Sequence, residues 1–156
     1  MRAIAVAGPI ADVIEARRRQ IETDPEREIL YIEDGGGNWL SAWMDREAFV
    51  ACLDALLDNV LRHGGPWGRI TVTAEPVPGS ILVRVRDNGA GIPEAVAADA
   101  AAGKLPAASG LGRVAGIVRA HGGRLAISSH PGAGSVVSTW WPAAPPAPVV
   151  WKGRAS

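Results

Sequence analysis

The carboxylate of Asp87 heads the run Asp87-Asn88-Gly89-Ala90-Gly91-Ile92-Pro93. The glycines there keep side chains away from the backbone, so a carboxylate beside them can accept a hydrogen bond from a flat, amine-bearing ligand. Asp-Asn-Gly is also ordinary turn chemistry. A second set is Asn59, Arg62 and His63, which helical spacing places three or four apart on one face. An amide oxygen there suits a hard cation such as Mg²⁺, and a guanidinium one turn later suits phosphate oxygens. The same residues also read as a solvated helix end whose basic groups complement the helix dipole. The third run is Ser109-Gly110-Leu111-Gly112, placed just before a helical pattern. Backbone N–H groups at such a junction can meet an anion.

Each run needs an element to hold it. Residues 80–87 alternate, with Ile81, Val83 and Val85 facing one way and Leu82, Arg84 and Arg86 between them, which predicts a half-buried strand that delivers Asp87. Asp45 caps a long amphipathic helix carrying Phe49, Leu53, Leu56, Leu57, Val60 and Leu61, and Gly64-Gly65-Pro66 stops it. A helix is predicted over 10–21, with strands over 28–33 and 39–44 joined as a hairpin by Asp34-Gly35-Gly36-Gly37-Asn38. Further strands are expected over 69–75, 124–129 and 135–141, and a short helix over 112–121. His121 then falls at a helix C-terminus, where partial positive charge is favourable, and His130 falls in a turn; both read as structural. Residues 94–109 are small and lack aromatic anchors, so they should be weakly fixed. Strand pairs alternating with helices indicate an α+β fold: a two-layer sandwich of a mixed, mostly antiparallel sheet with three main helices on one face. One domain over 1–142 is expected, with a stiff Pro/Ala-rich tail over 143–156.

Composition narrows the classes. The chain has 156 residues, 47% hydrophobic and 21% charged, the range of a globular domain. Sixteen basic and sixteen acidic residues cancel, so no global field favours nucleic acid or an anionic membrane. Cys52 stands alone, which excludes a disulfide framework and leaves a small buried hydrophobe. With no long apolar run or signal-peptide pattern, a cytoplasmic chain is expected, or the cytoplasmic part of a membrane-bound sensor.

The order of the three runs carries more than each alone. A helix with Asn59, a strand ending in Asp87-x-Gly89-x-Gly91, then Gly110-x-Gly112 before a helix resembles the histidine-kinase-type ATPases, which also include type II topoisomerases and Hsp90 chaperones. The likeness is strongest to the catalytic, ATP-binding domain of bacterial sensor histidine kinases. Residues 56–60 resemble its N box, 87–93 its G1 box and 109–112 its G2 box, and 117–125 with 132–135 resemble its ending. The resemblance implies the Bergerat-type sandwich and an ATP site with Mg²⁺. Asp87 would accept the adenine amine, supported by Ser135, while Gly89 and Gly91 pass by the base and Ile92 packs on its face. Asn59 would hold Mg²⁺, Arg62 and His63 would reach ribose or phosphates, and Ser109, Gly110, Leu111 and Gly112 would serve the phosphates. Residues 94–109 would form the ATP lid.

The chain departs from that pattern in four places. Ala55 replaces the usual first Asn of the N box, Ala108 replaces a glycine, and the lid lacks a Phe pair. Four residues separate Gly112 from Ile117, about two fewer than the resemblance implies, and two residues turn a helix by roughly 200°. None of His63, His121 or His130 sits in the His-Glu/Asp-x-x-x-Pro context of a phosphoacceptor. The resemblance therefore implies a monomeric kinase domain, not competent for autophosphorylation alone and with no catalytic residue of its own assigned. It would serve a histidine on a dimerisation hairpin outside this chain, with a response regulator downstream. Two alternatives are a serine kinase and partner-switching module like the anti-sigma factors, against which Ala55 argues, and a nucleotide-binding domain with weakened catalysis.

Overall fold

The computed structural model describes residues 1–33, 40–63, 67–130 and 132–144, except the side chains of His63 and His130. Along the chain run β1 (Arg2–Ala5), α1 (Ala7–Ile21), β2 (Glu28–Glu33), β3 (Ser41–Met44), α2 (Arg46–His63), β4 (Arg69–Val77), β5 (Ser80–Asp87), α3 (Glu94–Ala101), α4 (Gly110–Ala120), β6 (Arg124–His130) and β7 (Gly134–Pro142). Five strands form one sheet in the order β2-β4-β5-β7-β6; β2 runs parallel to β4 and every other pairing is antiparallel.

Register explains the core. Ile29, Ile70, Val85 and Val137 fall on one face with Val72, Val83, Ala74 and Trp141, and all are buried. Against this face lie Ile10, Val13 and Ile14 of α1, Phe49, Leu53, Leu56 and Leu57 of α2, and Val114 and Val118 of α4. The Phe49 ring meets Trp141 edge-on at 5.0 Å. The opposite face carries Thr71, Thr73, Arg84 and Arg86, all at least partly exposed. Leu82 on that face is nevertheless buried, set by register between Glu75 and Trp140.

The expected hairpin of residues 28–33 with 39–44 does not form. β2 takes the sheet edge beside β4, and β3 pairs instead with β1 in a separate two-stranded ribbon. The reason is non-local: Ile29 has a buried seat against Ile70, and β1, distant in sequence, supplies the strand that β3 pairs with. The expected turn, residues 34–38, lies outside the described residues. The first helix begins at Ala7, earlier than predicted, because Pro9 in a first turn lacks only an N–H that would have no helical partner there. Residues 94–101, read as weakly fixed, form α3; none of its residues is buried, though Val96 packs on the core edge. Ala143 and Ala144 donate to Gly79 and Ser41, and residues 145–156 lie outside the described residues.

Candidate nucleotide site

Period-2 alternation carries the buried face of β5 from Val83 and Val85 to Asp87, so the carboxylate enters the layer between sheet and helices. It is 5% exposed. Register places Ser135 of β7 directly opposite, and its hydroxyl donates to Asp87 Oδ2 at 2.6 Å. The Gly89 N–H donates to Oδ1 at 2.9 Å. Those bonds orient the carboxylate and leave lone pairs free for a further donor. Gly134 has φ +95°, and a Cβ there would lie 2.0 Å from the Asp87 carbonyl oxygen, so only glycine lets the turn close against the acceptor.

The loop after Asp87 is tied down on both sides. Asn88 Oδ1 accepts from the N–H groups of Gly68 and Arg69 at 2.8 and 2.9 Å. Gly132 donates to the Ala90 carbonyl at 3.2 Å. Ile92 is buried, and both its backbone N–H and carbonyl bond the Ser129 hydroxyl of β6.

This loop forms one wall of a cavity of about 830 Å³, within the range of small-molecule sites. Asp87, Gly91, Ile92 and Ser135 line it from the sheet side, Asn59 from α2, and Ser109, Gly110 and Leu111 from the start of α4. Val96, Asp99 and Leu105 complete the wall from the 94–109 segment. Eight of the residues singled out in sequence thus converge on one cavity. Of the others, Gly89 turns its N–H inward to Asp87. Arg62 is largely exposed and pairs at 3.0 Å with Asp58, one turn earlier, in a separate groove that also holds Arg17, Asp54 and Arg113. His63 ends α2, and its side chain lies outside the described residues.

The glycine run expected to precede a helix is the helix's first turn. Ser109 is the N-cap of α4: its hydroxyl accepts from Gly112 N–H at 3.0 Å and donates to the Pro106 carbonyl at 2.8 Å. Arg113 N–H bonds the Ser109 carbonyl, so among the described residues the first-turn donors without a partner are Gly110 and Leu111, and both residues line the cavity. A Cβ on Gly112 would come within 1.9 Å of the Pro106 oxygen, so this glycine lets the 106–109 turn close on the helix. The missed residues are Asn88 and Ser129, common polar types whose partners only the fold brings near.

Away from the cavity, burial pushes the Cys52 thiol up to about 12, which makes it an inert core residue. His121 is the C-cap of α4, as its place in the sequence implies; Nδ1 lies 2.7 Å from the Ile117 carbonyl, and Asp45 N–H donates to Nε2 at 3.2 Å. Among the described residues, no helix is long and apolar enough to cross a membrane.

A sandwich of this topology, with a buried acceptor at one end of a cavity and helix-start donors at the other, defines a nucleotide-binding domain of the α/β-sandwich ATPase class. Residues 44–145 match the family described as histidine kinase-, DNA gyrase B- and HSP90-like ATPase. The chain belongs to that family, and its domain is of the ATP-binding catalytic type found in sensor histidine kinases. It is 36% identical over 103 residues to the sensor protein DivL of Caulobacter vibrioides, covering 63% of this chain and 13% of DivL. It is 30% identical over 128 residues to the alginate biosynthesis sensor protein KinB of Pseudomonas aeruginosa, covering 78% and 22%. The chain therefore spans about an eighth to a fifth of these relatives. Its fold matches the catalytic domain of histidine kinase ThkA with TM-score 0.74 at 20% identity, over 90% of this chain and 93% of that one. ThkA has also been solved in complex with response regulator protein TrrA, where the match has TM-score 0.73 and covers 90% of this chain and 41% of that one.

Proposed function

We propose that the cavity binds ATP with the adenine amine on Asp87 and the phosphates toward Gly110 and Leu111, and that this domain presents the nucleotide to a histidine supplied outside this chain. The single observation that carries the reading is the buried Asp87 carboxylate, oriented by Ser135 and Gly89 on the sheet side of the cavity. Gly91 and Ile92 flank the base, and the Ile92 side chain offers an apolar face for stacking. On the α4 side, the helix dipole and the Gly110 and Leu111 N–H groups of its first turn favour an anion.

Asn59 lines the cavity, and its side chain carries an amide oxygen, the donor type a hard cation takes. Asn59 alone fits Mg²⁺, because this ion keeps most of its waters and takes phosphate oxygens as further ligands. Bound there, the ion would neutralise phosphate charge. We assign the acceptor histidine to a dimerisation hairpin of a longer kinase and place a response regulator downstream; the second assignment is supported by the solved complex of histidine kinase ThkA with response regulator protein TrrA.

A second reading, nucleotide binding with weakened transfer, is favoured by the Gly112 N–H already bonded to Ser109. Calorimetry with ADP and a non-hydrolysable ATP analogue, each with and without Mg²⁺, tests both. Binding of both nucleotides, strengthened by Mg²⁺ for the triphosphate, is expected. ADP binding alone would favour the second reading, and binding of neither would end the first.

A further inference from the structure

Ser129 and Ser135 face each other across the β6–β7 pairing, so both hydroxyls stand on the buried side of the sheet. Ser135 holds the Asp87 carboxylate. Ser129 is partly buried and is engaged by a single residue: its Oγ accepts from Ile92 N–H at 2.7 Å and donates to the Ile92 carbonyl at 2.9 Å. Among the described residues, no backbone group bonds Ile92 at either end. The hydroxyl's one proton and one of its lone pairs thus satisfy a residue that the strand ladders do not reach.

Ile92 sits at a boundary. Before it runs the tied loop of Asp87, Asn88 and Ala90. After it, Pro93 is the N-cap of α3, and its carbonyl accepts from Val96 and Ala97. No residue of α3 is buried, and beyond Pro93 the segment meets the core only at its edge, through partly buried Val96 and Leu105. The point at which the fixed wall of the cavity ends is therefore set by the hydroxyl of Ser129.

We infer that Ser129 is a positioning residue for the nucleotide. It fixes the height of Ile92 against the base and anchors the hinge of the 94–109 segment, while its neighbour Ser135 fixes the acceptor for the base amine. This inference rests on the nucleotide reading of the cavity. It touches no ligand itself and acts through Ile92.

Hydrogen exchange on the intact chain tests the clamp directly. The Ile92 amide, though outside any strand or helix, should exchange at least tenfold more slowly than the exposed Ala95 amide beside it. In Ser129→Ala it should speed up about tenfold, with Gly89 unchanged, and ADP affinity measured by calorimetry should fall about five- to twentyfold. Ser129→Thr keeps the hydroxyl on a strand that accepts β-branched residues, and it should restore both readouts. An unprotected Ile92 amide in the unaltered chain would overturn the inference without any variant. So would ADP affinity unchanged in Ser129→Ala, or a threonine variant no better than alanine. If the unaltered chain binds no ADP, the nucleotide reading itself fails, an outcome separate from normal binding that is indifferent to position 129.

Discussion

Replacing Asp87 by Asn changes hydrogen-bonding character without changing size, so it tests the acceptor assignment with little disturbance to packing. Asp87 is 5% exposed and accepts from Gly89 at Oδ1 and from Ser135 at Oδ2. The amide oxygen would stay with Gly89, whose N–H is fixed by the backbone, which turns the NH₂ toward Ser135 and the cavity. Ser135 can rotate its hydroxyl to accept, so the fold loses only the difference between a charged and a neutral hydrogen bond, about 1 kcal/mol. The base amine instead meets a donor. It loses a charge-assisted bond worth about 1.5–3 kcal/mol, and two donors are left facing each other at about 1–3 kcal/mol. The combined loss of about 2.5–6 kcal/mol corresponds to a Kd for ADP weakened by roughly 10²- to 10⁴-fold. The new donor should suit a base with a carbonyl at that position, so inosine diphosphate should lose far less affinity than ADP. Calorimetry with both nucleotides, alongside a thermal melt, reads all three effects. An Asp87→Asn chain that binds ADP within threefold of the unaltered chain, or that keeps its preference for ADP over inosine diphosphate, would refute the assignment.

Gly134→Ala combines a positive φ with a Cβ that meets the Asp87 carbonyl at 2.0 Å. It should cost roughly 2–5 kcal/mol in urea unfolding and weaken ADP binding together with stability. His121→Phe keeps the ring that meets Trp141 edge-on at 5.3 Å but removes its contacts with Asp45 N–H, where water can take over, and with the Ile117 carbonyl, and about 0.5–1.5 kcal/mol of stability should be lost by the same measurement. Burial raises the Cys52 thiol from 9.0 to about 12, so its stabilising contribution is complete below pH 9 and is lost as pH climbs from about 9 through about 12. A thiol reagent at pH 8 should therefore label Cys52 only after unfolding; rapid labelling of the native chain would contradict its burial.

What could be read from the chain was what local periodicity controls. The alternation that ends at Asp87 and the apolar stripe of α2 both reach the core as expected, because each strand or helix residue reports its own face. Pairing was not legible in the same way. Asp34 to Asn38 reads locally as a hairpin turn, yet the partner of β3 is a four-residue strand at the amino terminus, and the partner of β2 lies beyond a helix. Arg62 shows the same limit at smaller scale. Its spacing from Asn59 suggests a shared face, but Asp58, at the better i,i+4 distance, takes the guanidinium. Ser129 carried no signal, because a serine in a strand acquires its role only when the register sets it opposite Ser135 and under Ile92.

In the proposed pose the two sides of the cavity are built on different principles, and this separates binding from transfer. The side assigned to the base consists of sheet positions held by register, so it exists before a ligand arrives. The side assigned to the phosphates is the first turn of α4, where one donor, Gly112 N–H, is already occupied by the Ser109 cap. For Gly112 to join Gly110 and Leu111 at a phosphate, that cap must open, at a cost of about 0.5–2 kcal/mol. A hydrogen bond to a charged oxygen contributes about 1.5–3 kcal/mol, so the exchange is favourable where the terminal phosphate reaches the donor. If the cap opens by rotation of the Ser109 side chain, its bond to the Pro106 carbonyl breaks as well, which loosens the end of the 94–109 segment. The same nucleotide would then be gripped at its base by groups that do not move, and at its phosphates by a turn that must rearrange to close.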